Sequence, residues 1–480
     1  MGKLIRRVFL ARFPVHPSPG PENSRDGTDN VQPERPCFFV FFLGYFVLLF
    51  AVGLFVRDSD PQPELLAAIG DLGKSLKAVS DPLYFATGAL DIYHFGWITP
   101  ANRWIISLWP PGFMLFEAGI LKLFGESAPF IVILIALSAF LGATMLLLMR
   151  RYLLELVGPI CATFLPLVVF CFPVTRLYML EPTGTVLGEG FSVAFFITAM
   201  LLILLAPRSR PLAYAISAGT LLALAAYFRP QYELLIWFLT AAATPILGWL
   251  LFSLWSYRRL DSRRTATRSV VIILAVLTTS HLLMLPWRIH NLFEGGGLSW
   301  VSTRHLVIRN ALSIEAGLAA GGGGFVIEGG GNLACKLEPS YCGQTDEKLF
   351  YRAFFDHMGE WYLSKFELLP KYWFASLRNF VNIGFLPTLI DKIVNALLLL
   401  CVLATVPLLW RTRHNRVGLL QLWICASFYM CFFVIFSFVH FEARYFYLLK
   451  IFSIVTTILL GSLAYRSKKR TPILQSAQRP

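Results

Sequence analysis

The stretch Cys37–Val56 reads CFFVFFLGYFVLLFAVGLFV, with Arg35 before it and Arg57 after it. It contains no charged residue and has the length of about 20 residues that an α-helix needs to cross a bilayer core. It is too long for the apolar part of a cleaved signal peptide and lacks a small-residue cleavage site, so it reads as a retained first span. Working outward, similar uncharged runs recur at Ala128–Met149, Leu156–Phe172, Gly190–Ala206, Pro211–Phe228, Leu234–Ser256, Ser269–Trp287, Ile393–Trp410, Val417–Val439 and Tyr445–Tyr465. Within these runs the ionisable interruptions are His281 and Lys450. Hydrophobic residues make up 56% of the chain and charged residues 15%, against about 25% charged in soluble domains. Backbone groups in lipid must be paired within their own segment, so the spans are expected to be helices. The alternation of a membrane barrel is absent. The fold class is therefore an all-α polytopic membrane protein.

Charge sets the orientation, because Lys and Arg collect in short cytoplasmic loops. Arg258, Arg259, Arg263, Arg264 and Arg268 form the densest cluster. Arg208 and Arg210, Arg411, Arg413 and Arg416, and Arg466, Lys468, Lys469 and Arg470 fall on the same side, as do Lys3, Arg6, Arg7 and Arg12. Both termini are then cytoplasmic. The net charge of +14 reflects this bias together with attraction to anionic lipid. No basic stripe lies on a soluble domain, so nucleic acid is not an expected partner. Parity between Gly112 and Pro173 requires one of three apolar pieces not to cross. Phe113–Phe124 is the shortest, at about 18 Å of helix against a 30 Å core, and is taken as partial. Arg150 and Arg151 are then cytoplasmic.

The expected organisation follows. Residues 1–36 are a Pro-, Ser- and Asp-rich cytoplasmic tail with nothing to bury, and 37–56 are the first span. Residues 57–112 are an outer loop with juxtamembrane helices, and 113–287 the main transmembrane bundle. Residues 288–392 are a second large outer loop, 393–465 the last spans, and 466–480 a cytoplasmic tail. Cys335 and Cys342 sit in the polar second loop, where a disulfide is expected in an oxidising compartment. The other cysteines lie in or beside apolar runs and read as small packed hydrophobes. No nucleotide signature is present. The runs Gly321–Gly324 and Gly329–Gly331 lack the spacing and flanks of a phosphate loop and read as a flexible loop, or as a lid that orders on substrate.

The first outer loop is unusually long. It contains Ser80-Asp81-Pro82-Leu83-Tyr84-Phe85-Ala86 and ends in Trp109-Pro110-Pro111-Gly112. Further landmarks follow in order: Leu123-Phe124-Gly125, Glu189 opening a span, Arg229-Pro230 ending one, Pro286-Trp287-Arg288-Ile289-His290-Asn291, and Glu442-Ala443-Arg444-Tyr445. In order, side and spacing this set resembles the GT-C glycosyltransferases, close to bacterial relatives of the protein O-mannosyltransferases and of the lipid A aminoarabinose transferase. The likeness extends over nearly the whole chain, although each motif is short. Many of those relatives carry two adjacent acids in the first loop, whereas here Pro82 follows Asp81. The resemblance implies a GT-C type helical bundle with two large non-cytoplasmic loops. The implied reaction is inverting transfer of a sugar from a polyprenyl-phosphate donor to a lipid, glycan or protein acceptor. It also implies a bacterial inner membrane with the active site facing outward. No cofactor is firmly implied, and a divalent metal is not favoured.

Such a transfer needs a carboxylate to take the acceptor proton and cationic donors for the leaving phosphate. Asp81 is the first candidate for the base, with Asp58, Asp60, Asp71 and Asp91 as rivals. An Asp followed by Pro is also a good helix start, and the two roles are compatible. Arg288 is the first candidate for the phosphate, with Arg444, Lys450 and Arg304 as further donors; snorkelling to the headgroups is the structural alternative for Arg288 and Lys450. Tyr84 and Trp109, with Glu189 and Glu442, are assigned to the substrate. The aromatics, with Trp97 and Trp104, also fit an interfacial belt, and Glu442 and Arg444 also fit a mutual ion pair. His281 reads as a packed residue. A transporter or flippase of lipid-linked sugars is the alternative class; it calls for matching halves and ionisable groups near mid-membrane, and no matching halves are visible. A surface-glycan polymerase or ligase would place its large loop late in the chain, unlike the early Asp-bearing loop here.

Overall fold

A computed structural model describes residues 35–57, 81–125, 129–208, 210–256, 260–294, 355–376, 387–412, 416–438 and 446–476. These residues form helices and turns, with no strand among them. Numbering the longer helices, α1 is Arg35–Arg57, α2 Asp81–Phe95, α3 Gly112–Phe124, α4 Phe130–Val157, α5 Glu189–Leu205 and α6 Pro211–Phe228. They continue with α7 Gln231–Ser256, α8 Leu260–Glu294, α9 Met358–Trp373, α10 Leu389–Thr412, α11 Arg416–Phe438 and α12 Phe446–Ser476. Among the described residues 9 helices are long and apolar enough to cross a membrane: α1, α4 to α8 and α10 to α12.

The run expected as one span at Leu156–Phe172 is broken. Helix α4 ends at Gly158, Pro159 starts the next piece, and Pro159–Cys171 meets Pro173–Met179 at an angle of 79°. Proline cannot donate a helical hydrogen bond and clashes with the preceding turn, so Pro173, at the start of the second piece, accounts for the bend that apolar composition concealed. If the bent pair counts as one span, the described residues hold 10 candidate crossings. Helix α3 has 13 residues and is not among the crossing helices. It packs instead against α2 and α6.

Helix α5 is apolar all round and every one of its residues is buried, as expected for a helix at the centre of a bundle. It is flanked by α4 and α6, and α6 packs against α8. Helices α1 and α10 keep broad apolar faces exposed, including Phe39, Val47 and Phe55 on one and Ile390, Leu400 and Leu403 on the other; these are surfaces for lipid. At one end of the bundle Arg151 donates to the Tyr214 hydroxyl at 2.6 Å, and Arg208 pairs with Glu155 at 3.2 Å. Arg150 and Arg151 therefore share an end with Arg208, as the parity of the spans demands.

Candidate active site

At the opposite end, helix termini converge. Glu189 stands between two glycines that its position requires. Gly188 adopts the left-handed conformation, φ +71, which a side chain disfavours. A Cβ on Gly190 would run into the Tyr178 carbonyl and the Met179 backbone. The chain can thus pass closely against Pro173–Met179 and begin α5 with a carboxylate. Arg229 follows the last residue of α6 in extended backbone, as the residue before a proline should. Its Nη2 lies 3.4 Å from Glu189 Oε1 and also donates to the Leu187 carbonyl. Both side chains are buried, at 6% and 3% exposure. Two landmarks far apart in the sequence are thereby brought together. Glu189, assigned from sequence to the substrate, is engaged inside the protein by Arg229.

Arg229 also lies over the Phe85 ring, 5.2 Å from its centroid. Phe85 belongs to α2, the helix that begins at Asp81. Positions 81 and 85 are one turn apart and share a helix face, so the backbone position of the candidate base is tied through Phe85 to the buried pair. Along the same helix, Tyr84 stacks on Trp109 at 5.6 Å and meets Trp104 edge-on at 4.8 Å. The aromatics assigned to the substrate thus hold one another and fix the Pro-Pro-Gly end of the loop against α2. Asp91, a rival for the base, is committed elsewhere. Its Oδ2 accepts from Thr99 N at 2.9 Å, Thr99 Oγ1 at 2.6 Å and Asn102 Nδ2 at 2.9 Å, which makes it the organiser of the 96–103 turn.

A second buried pair stands beside the first. Arg288 Nε lies 2.9 Å from Glu233 Oε1, at 6% and 0% exposure. Arg288 Nη1 is 2.8 Å from His281 Nδ1, and the guanidinium sits 4.9 Å over the Trp237 ring. With Nδ1 accepting, His281 carries its proton on Nε2 and donates to Thr240 Oγ1 at 2.8 Å. His281 is the packed residue expected. Helix α8 runs on through Glu294, so Arg288 lies within a helix, and its buried side chain does not snorkel. It folds back along its own helix, the direction helical side chains take.

Lys450 departs from expectation. It donates to the Trp373 carbonyl at 3.0 Å and to Asn395 Oδ1 at 2.7 Å, with only 3% exposure. Trp373 Nε1 in turn donates to the Asn395 carbonyl at 2.9 Å. The lysine neither reaches outward nor snorkels; it ties α12 to α9 and α10. Arg304, Glu442, Arg444, Cys335 and Cys342 lie outside the described residues, as do Asp58, Asp60 and Asp71, and the side chain of Asp81 is likewise outside them.

Sequence reading missed Glu233 and Glu117. Glu233 was set aside by starting an uncharged run at Leu234. Glu117 lies in α3, is 1% exposed, and neither of its oxygens has a hydrogen-bond partner. An ionisable residue inside an apolar helix is costly, and that signal was present at both positions. No group of three His, Cys, Asp or Glu side chains among the described residues could hold a metal ion. The chemistry available at this end is a carboxylate position on α2 beside two charge-neutral Arg–Glu pairs, with arginine donors in excess of their acceptors.

No family model matches the chain, and no curated protein matches it. Among solved structures it is similar to the oligosaccharyltransferase of Archaeoglobus fulgidus in its apo form, at 14% identity and a TM-score of 0.42, covering 91% of this chain and 52% of that one. It is also similar to the archaeal oligosaccharyltransferase AglB of the same organism in complex with an inhibitory peptide and a dolichol-phosphate, at 12% identity and a TM-score of 0.40, covering 92% and 52%. The chain thus spans about half the length of these structures.

Proposed function

We propose that the chain is a membrane glycosyltransferase of the GT-C type that moves a sugar from a polyprenyl-phosphate donor to an acceptor hydroxyl on the non-cytoplasmic side, with inversion. In the proposed step the acceptor oxygen attacks the anomeric carbon while Asp81 takes its proton. The bond from that carbon to the phosphate oxygen breaks, and the phosphate leaves with the electron pair. Arg288 meets the phosphate, aided by Arg304 and Arg444 of the outer segments. Lys450 drops out of the donor-binding set, because its ammonium is engaged within the bundle. Tyr84 and Trp109 form the aromatic wall, and Glu189 and Glu442 support the substrate side.

The observation that carries the reading is the contact of Arg229 with Phe85. It joins the helix that begins at Asp81 to the end of the bundle where Arg229 and Arg288 are buried with their glutamates. A base and phosphate-binding cations must share one end of the membrane, and fixed charges in a water-poor site are effective because they need no reorganisation.

The test is transfer of radiolabelled sugar from polyprenyl phosphate by the purified protein. Asp81→Asn keeps the shape and removes the base. A positioned base contributes about 10²–10⁴-fold, so transfer should fall by that factor while donor binding survives. Near wild-type turnover by Asp81→Asn would move the base to another acid of the loop. If a lipid-linked sugar is carried across the bilayer and never consumed, the chain is a transporter.

A further inference from the structure

Two of the three guanidinium nitrogens of Arg288 are used, Nε by Glu233 and Nη1 by His281. The third, Nη2, is buried without an acceptor. So is Asn291 Nδ2, and so is Trp287 Nε1. Positions 288 and 291 are three apart and 287 and 291 four apart, which makes them neighbours on one face of α8. Asn291 therefore stands one turn beyond Trp287 and Arg288 on the same side of the helix. Buried donors are normally satisfied. Three on one turn without an acceptor call for a group rich in acceptors and free of donors, which is the description of an oxyanion.

The charge of this turn narrows the ligand. Glu233 already offsets Arg288 at 2.9 Å. His281 accepts from Arg288 through Nδ1 and is therefore neutral. Among the described residues of this turn and its partners, Arg288 and Glu233 balance, so the turn offers hydrogen bonds but no net charge. A singly charged oxyanion meets three donors there. A doubly charged one brings a second negative charge close to the buried Glu233 carboxylate, where like charges are strongly disfavoured.

We propose that the turn Trp287–Asn291 is an oxyanion cradle selective for a singly charged phosphodiester over a doubly charged phosphomonoester, with Glu233 as the residue that sets the selectivity. The proposal rests on the glycosyl-transfer reading and deepens it. A glycosyl lipid phosphate is a diester with one charge. The lipid phosphate left after transfer is a monoester, with a second ionisation near pH 6. The cradle thus holds the donor and disfavours the product, so that transfer itself weakens the grip on the spent carrier. Arg103 is a further cation acting on this end of α8, through His290; it is unchanged by the substitutions below and cancels from the ratios they report.

Two probes separate the charge states at pH 8: farnesyl methyl phosphate, a monoanion, and farnesyl phosphate, a dianion. Binding of each to purified full-length protein is measured by quenching of tryptophan fluorescence. Wild type should prefer the diester by about tenfold, a difference of about 1.4 kcal/mol. Glu233→Gln removes the opposing charge and should shift the ratio toward the monoester by at least about tenfold, while Glu233→Asp retains the wild-type preference. Asn291→Leu should weaken both probes by a similar factor and leave the ratio in place. An unmoved ratio in Glu233→Gln, in protein that remains monodisperse and binds a probe, overturns the proposal and leaves the transferase reading standing. Unchanged affinity for both probes in Asn291→Leu also overturns it. Wild type that binds neither probe and consumes no lipid-linked sugar defeats the transferase reading itself.

Discussion

Replacing Arg229 by Ala should destabilise the end of the bundle that holds the Glu189–Arg229 pair more than any exposed charge could. Glu189 is 2% exposed and Arg229 5%, so removing the arginine leaves a carboxylate in a site that water does not reach. Breaking a buried pair from one side costs about 3–5 kcal/mol. Loss of the contact with Phe85 adds about 0.5–2 kcal/mol, and the Leu187 carbonyl loses a charged donor. At about 2 °C per kcal/mol for a large domain, the apparent melting temperature should fall by roughly 7–14 °C. The assay is thermal unfolding in detergent, read by a thiol-reactive dye as the rise in signal when the buried Cys425 and Cys431 open, above the signal of the exposed Cys161 and Cys171. The partner variant Glu189→Leu should cost a comparable amount. The double variant Arg229→Met with Glu189→Leu should recover most of the loss, because an apolar pair of similar volume is often as stable as a buried ion pair. Melting of Arg229→Ala within one degree of wild type would refute the buried pair, as would losses of the single variants Arg229→Met and Glu189→Leu that add strictly in the double variant, since contacting residues are expected to couple.

Two further outcomes are expected. Lys450→Met removes the donor to the Trp373 carbonyl and Asn395 Oδ1, each worth about 1–3 kcal/mol when left buried and unpaired. Melting should drop, and hydrogen exchange across Met358–Trp373 should quicken; unchanged exchange there would show that α9 is held by other contacts. Apolar surroundings push the Glu117 carboxyl well above the usual carboxylate range, so its folded form stays protonated after the unfolded chain ionises at about pH 4.3. Its contribution to stability is full below that value and is lost as pH rises toward the folded pKa, by about 1.4 kcal/mol per pH unit. Glu117→Gln should remove this slope, gaining on wild type between pH 5 and pH 8; parallel profiles would show Glu117 to be ionised in the folded protein.

The spans were legible because their signal is local. A run such as Gly190–Ala206 announces a buried helix by composition alone, and α5 begins one residue before it, at Glu189. The bend that follows Leu156–Phe172 had a local cause too: Pro173 is visible in the sequence, and hydropathy was given more weight than backbone chemistry. The polar network was harder to read. Glu189 and Arg229 were recognisable as landmarks, but nothing local says that the start of α5 meets the end of α6. Lys450 was judged by its depth alone. Its partners, a tryptophan carbonyl and an asparagine on two other helices, carry no charge that a search for countercharges would find.

The distribution of buried charge argues for a division of labour at the end of the bundle that holds the two Arg–Glu pairs. The Glu189–Arg229 pair joins α5 and α6 to α2 through Phe85 and so fixes where the helix starting at Asp81 can stand. The Glu233–Arg288 pair joins α7 to α8 and leaves unused donors on its far side. Glu233 follows Arg229 by one helical turn, so the two pairs are linked through the short segment Arg229–Glu233 at the start of α7. A displacement of that segment would move the candidate base and the candidate phosphate donors together. Damage to the first pair that leaves the segment Arg229–Glu233 in place should instead lower turnover through misplacement of the α2 carboxylate while donor affinity is largely kept. Damage to the second should alter which phosphate is bound. The separation of rate from affinity is the signature that distinguishes two roles from one diffuse structural cluster.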